Sequence, residues 1–161
     1  DQPITSGVLN RSEAFSELNE FQLTNSDINT FHTYDEIGQS RKDVEHYKSY
    51  SRPLICTEYM ARTRNNTFQS HMPYFKKENV GAINWGLVSG KSQTIYSWPW
   101  PRPASDAYWQ QWHDNIRERY PLEKDQTVPE PDIWFHDVFR KDGTPYSREE
   151  AELIKKLNGK Q

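Results

Sequence analysis

Apolar and amphipathic stretches alternate along the first ninety residues. Four short runs read as β-strands: a weak one at 4–9, then 27–33, 53–59 and 80–86. The last two, Pro53-Leu54-Ile55-Cys56-Thr57-Glu58-Tyr59 and Val80-Gly81-Ala82-Ile83-Asn84-Trp85-Gly86, are rich in apolar residues, as strands covered on both faces are. Between the runs, apolar positions recur at helical spacing. Residues 13–21 place Ala14, Phe15, Leu18 and Phe21 in that pattern, and 40–50 place Val44, Tyr47 and Tyr50 on one face. Residues 67–79 carry Phe68, Met72 and Phe75 behind Thr67, a suitable N-cap. Pro73 demands a kink or a later start of that helix.

After the fourth run the pattern changes. Ser97-Trp98-Pro99-Trp100-Pro101-Arg102-Pro103 is stiff and aromatic. Residues 104–120 read as a helix, and 122–132 as a connector. Ile133 to Phe139 form an apolar cluster, and Asp142-Gly143 a turn. Ser147 and Glu150 form a capping box for a last helix over 148–157.

Strand and helix alternate, which predicts an α/β fold with a parallel sheet and crossover helices. His32, Glu58 and Trp85 fall at comparable places near the ends of consecutive strands, 26 and 27 residues apart. That repeat suits a (β/α)8 barrel, whose active site lies at the strands' C-terminal ends. A doubly wound sheet also places ligands there and stays open as an alternative.

Composition narrows the chemistry. Leu, Ile, Val and Phe make up just under a fifth of the 161 residues, but 6 Trp, 9 Tyr and 7 Phe and a net charge of only −3 argue for a folded chain. One Cys excludes a disulfide scaffold and Cys-rich zinc sites. No apolar run is long enough to span a membrane, and the charge balance leaves no footprint for nucleic acid. The pattern calls for no cofactor or metal. Gly-rich phosphate loops are absent, Ser89 misses the nucleophile-elbow pattern, and His46, His71, His113 and His136 are scattered without ligand spacing.

Three places can carry chemistry. Glu58 ends an apolar strand, where it is either a carboxylate at a barrel mouth or a partner of Arg62, Arg64 or a helix N-terminus. His32 and Tyr34 are two apart and share a face if the strand persists; a Tyr hydroxyl can orient a carboxylate and stabilise its charged form. Trp85 is either core or a platform for the apolar face of a sugar ring. Trp98 and Trp100, on a Pro-rich loop, are platforms or pack against the next helix.

In order and spacing, His32-Thr33-Tyr34, Thr57-Glu58-Tyr59 and Asn84-Trp85-Gly86 resemble the last three active-site strands of retaining glycoside hydrolases of the cellulase-like (β/α)8 superfamily (clan A, family 5-like). The tail from Trp134 to Tyr146 strengthens the resemblance to cellulase-like and xylanase-like members. The resemblance implies that Glu58 is the nucleophile and that Tyr34 orients it and keeps it ionised. It implies that His32 and Trp85 bind a β-linked polysaccharide or oligosaccharide, to which Trp98 and Trp100 on the Pro-rich loop add candidate platforms, and that the protein is secreted or periplasmic. The family's acid/base, a Glu after an Asn at a strand end, has no match, since Asn19-Glu20 lies in a helical stretch.

Four strands and one matched carboxylate lead to a specific expectation. The chain is the C-terminal half of a barrel, about strands 5–8, with a long loop and helix inserted after the last strand. The acid/base lies on a missing N-terminal half, and this half alone has little or no activity. The competing reading from another class is a non-catalytic carbohydrate-binding or structural α/β module that uses its exposed aromatics.

Overall fold

A computed structural model describes residues 2–8, 10–90, 94–98 and 130–159. The helix expected at 104–120 and Trp100 lie outside these residues. The described chain is α/β. Strands β1 (Gly7–Val8), β2 (Asn29–His32), β3 (Leu54–Glu58) and β4 (Gly81–Ala82) form one parallel sheet in the order β1-β2-β3-β4. Helices α1 (Ser16–Asn25), α2 (Ile37–Lys48) and α3 (Phe68–Lys77) lie in the three crossovers, and α4 (Arg148–Leu157) packs on α3.

The core forms between the central strands and α2 and α3. Phe31 is fully buried and meets Tyr47 at 5.1 Å and Phe75 at 6.4 Å between ring centroids. Val44 and Tyr47 of α2 and Phe68 and Phe75 of α3 repeat at helical spacing, so each helix turns one stripe inward. Thr67 caps α3 with a complete capping box: its hydroxyl accepts from the Ser70 amide, and the Ser70 hydroxyl accepts from the Thr67 amide, both at 3.2 Å. Pro73 neither starts nor ends α3. The bond it removes would run to Gln69, and both residues are exposed, where water can take the carbonyl.

The last helix has the expected bounds, but its cap is only half a capping box. The Ser147 hydroxyl accepts from the Glu150 amide at 3.3 Å, while the Glu150 carboxylate turns inward to Arg62. Arg62, in the turn Arg62–Arg64 after β3, donates to Glu150 from Nε (3.0 Å) and Nη2 (2.6 Å). It also donates to the carbonyls of Trp134 (3.0 Å) and Asp137 (3.1 Å), and its guanidinium lies over Tyr146. Both charges of the pair are buried, and each is hydrogen-bonded, the condition under which a buried ion pair is tolerated.

The outer strands depart from expectation. β1 and β4 contain two residues each, where runs of six and seven are predicted. Ile83, Trp85, Leu87 and Val88 are exposed, so the fourth run is not covered on both faces. Among the described residues only β3 flanks β4, and beyond Ala82 single bonds (Ile83 N to Cys56 O, 2.8 Å; Trp85 N to Tyr59 O, 2.9 Å) replace the ladder. The predicted stripe of α1 is also turned outward. Phe15, Leu18 and Phe21 are exposed, and Leu23 is the residue of this helix that enters the core. Residues 13–15 form a 3₁₀ turn, whose tighter period does not continue into the phase of α1. No described helix is long and apolar enough to cross a membrane.

Candidate functional site

The group at the C-terminal ends of β2 and β3 depends on an irregular register. Phe31 pairs with Cys56, but the next residue, His32, pairs with Glu58. Thr57 is the extra residue, and its hydroxyl donates to the Phe31 carbonyl at 3.3 Å. The bulge sets Glu58 beside His32, a re-aiming for which such irregularities are known near sites.

Tyr34 and His32 both converge on one oxygen of Glu58. The Tyr34 hydroxyl donates to Oε2 at 2.8 Å, and His32 Nδ1 lies 3.2 Å from the same atom. Strand β2 ends at His32, so the alternation expected to bring Tyr34 to this face does not persist. Tyr34 reaches Glu58 from the loop that follows. Glu58 and His32 remain partly accessible. Burial, then the bond to Glu58, raises the Tyr34 phenol well above the usual tyrosine range, so it stays a donor. Glu58 pairs with neither nearby Arg: Arg62 holds Glu150 and Arg64 reaches Asp35 at 3.5 Å. Cys56, on the same strand, is fully buried and its thiol is pushed up to about 12, which removes it as a nucleophile.

Aromatic rings back this group. Trp98 stands edge-on to Tyr34 at 4.8 Å and also packs on Phe135 (5.0 Å) and His136 (5.3 Å). The segment 94–98 is held there by the Phe135 amide to the Ile95 carbonyl (2.8 Å) and the His136 amide to the Thr94 carbonyl (3.0 Å). His136 is buried, donates from Nδ1 to the Met60 carbonyl at 2.5 Å, and is pushed down to about 4 by burial. It is therefore a neutral imidazole, and its Nε2 is buried without a hydrogen-bond partner among the described residues.

Trp85 is 45% exposed, which removes the buried-core reading. Its ring is not part of the cluster around Tyr34. The turn after it requires glycine: Gly86 has φ +82°, and a Cβ there would meet His136 Cβ and Asp137 Oδ1 at 2.8 Å each.

The structure thus brings together His32, Tyr34, Glu58 and Trp98, with Trp85 exposed at the neighbouring strand; Trp100 lies outside the described residues. It adds His136 and Asn66. His136 belongs to an apolar cluster far along the chain, and no local pattern connects it to Tyr34. Asn66 sits in a polar stretch that reads as an ordinary turn. Among the described residues no group of three His, Cys, Asp or Glu side chains could hold a metal. A cleft of about 450 Å³ between α1 and α2, lined by Arg11, Glu20, Asp43 and Tyr47 among others, contains none of these site residues. Comparison of the chain with protein-family models, curated proteins and solved structures found no match in any of the three.

Proposed function

We propose that this chain carries the nucleophile side of a retaining glycoside hydrolase acting on β-linked polysaccharide or oligosaccharide, built on half of a (β/α)8 barrel. The observation that carries the reading is the Tyr34–Glu58 bond of 2.8 Å at the C-terminal ends of parallel strands. The strand order supports the barrel. Four consecutive strands pair in sequence without reversal, whereas a doubly wound sheet reverses at a switch point and puts its ligand there. The chemistry then runs as follows. Tyr34 and His32 occupy Oε2, and Oε1 has no hydrogen-bond partner among the described residues. Oε1 attacks the anomeric carbon, the bond from that carbon to the leaving oxygen breaks, and a glycosyl ester forms on Glu58. Water then displaces Glu58 and restores the carboxylate. A second carboxyl group, about 5–5.5 Å away, must protonate the leaving oxygen and later deprotonate the water. In this reading it comes from the complementary half.

The test avoids the need for that acid. A dinitrophenyl 2-deoxy-2-fluoroglycoside has a leaving group that departs without a proton, and its fluorine slows breakdown of the ester. Incubation with the glucosyl and xylosyl reagents should give a mass increase on the peptide holding Glu58, lost in Glu58→Gln. No adduct at saturating reagent, or an adduct elsewhere, overturns the reading. The exposure of Trp85 supports a second reading, a non-catalytic carbohydrate-binding module. It predicts glucan or xylan binding that is lost in Trp85→Ala and unaffected by Glu58→Gln, with no labelling.

A further inference from the structure

We infer that Asn66 is a positioning residue that fixes Tyr34 against Glu58 by tying together the two loops that carry them. This rests on the reading of Glu58 as a nucleophile. Asn66 is fully buried and uses both ends of its amide. Nδ2 donates to the carbonyls of Thr33 (3.2 Å) and Asp35 (2.7 Å), the residues on either side of Tyr34. Oδ1 accepts from the Met60 amide at 2.7 Å, two residues beyond Glu58. One side chain therefore sets the separation of the two strand exits.

The backbone at Met60 shows why such a clamp is needed. Met60 has φ +82°, a strained conformation that a long side chain keeps only where its surroundings impose it. Asn66 holds its amide, and His136 holds its carbonyl at 2.5 Å. Behind Asn66 lies a buried polar chain. His71 Nε2 lies 3.1 Å from Asn66 Nδ2, and His71 Nδ1 lies 2.8 Å from the Ser70 hydroxyl. Ser40 meets the same Nε2 at 3.0 Å and Thr33 at 2.9 Å. The network thus joins the β2 exit, α2, the β3 exit and α3. A flipped Asn66 would present oxygen to two carbonyls and nitrogen to an amide, so only one orientation satisfies it.

The experiment reads Tyr34 directly. In protein labelled at tyrosine Cζ, Tyr34→Phe assigns the Tyr34 resonance, and Glu58→Gln defines its position once the carboxylate is gone. Asn66→Ala should move the Tyr34 resonance toward the Glu58→Gln position while the buried Tyr47 resonance stays in place. A purely structural role would lower Tm and leave Tyr34 where it was. In wild-type protein, which is certain to be available if Asn66→Ala does not fold, the Asn66 side-chain amide protons should exchange at least about tenfold more slowly than those of exposed Asn65. An unmoved Tyr34 resonance in folded Asn66→Ala, or Asn66 protons exchanging as fast as those of Asn65, overturns the inference. Neither readout uses labelling of Glu58. Failure of the clamp and failure of the glycosidase reading are therefore separable.

Discussion

The inner strand pair and the outer strands are built by different rules. β2 and β3 are flanked on both edges, and their exits are tied by Asn66, Arg62 and the bulge at Thr57. β1 and β4 have one strand neighbour each among the described residues, and apolar groups beside them face outward: Ile4, Phe15, Leu18 and Phe21 on one side, Ile83, Leu87 and Val88 on the other. The difference teaches where the order resides. A carboxylate with two specific partners sits where the backbone is most constrained, and exposed apolar surface collects where the sheet stops. Open edges with apolar flanks favour association. The half-barrel reading assigns those edges to a complementary half.

Three substitutions or conditions probe this contrast. Phe31→Ala strikes the inner pair, where a fully buried ring between Tyr47 and Phe75 is lost, and should cost about 3–5 kcal/mol, read from the urea midpoint. A loss no larger than that of a surface change would end the claim that order concentrates there. Acid tests the same region. His71 and His136 are buried and both pushed down to about 4, whereas an unfolded histidine titrates near 6.5. Below that value the unfolded chain binds more protons, so stability is full above about pH 6.5 and falls as pH drops toward 4. Urea midpoints at pH 7, 5.5 and 4.5 should decrease in that order, and a flat profile contradicts the neutral, buried assignment. Phe21→Ser changes a side chain that is 66% exposed on α1 and should alter stability by no more than about 0.5 kcal/mol. It should reduce self-association of the isolated chain at high concentration in size-exclusion chromatography. Unchanged association would show that this face does not drive it.

The inner pair was also the region legible in the sequence. Apolar runs located β2 and β3 to within a few residues, and Thr67 and Ser147 marked the starts of α3 and α4, because caps and strand cores are local properties. The family resemblance implied that Tyr34 orients Glu58, though not that His32 reaches the same oxygen, nor the bulge or the loop route that brings them together. What remained hidden depends on partners distant in the chain. The outward turn of Phe15, Leu18 and Phe21 reflects what does or does not cover α1, which periodicity does not encode. Glu150 satisfies the spacing of a capping box, but a buried guanidinium offers it stronger bonds than a backbone amide does. Asn66 looks like a turn residue until Thr33, Asp35 and Met60 are seen around it.

The Arg62–Glu150 pair has a consequence for the order of folding. Its members are 88 residues apart, and the same guanidinium gathers the carbonyls of Trp134 and Asp137. While the chain is being synthesised, the turn after β3 therefore exists long before the groups that neutralise and bond it. The first three strand–helix units cannot reach their final state on their own, since burying Arg62 without its carboxylate would be strongly unfavourable. Docking of α4 is thus a late, non-local step of the slow kind, and it completes the loop that leads out of Glu58. Until the last helix arrives, the β3 exit stays hydrated and unfinished, so maturation of the candidate site and docking of that helix are one event.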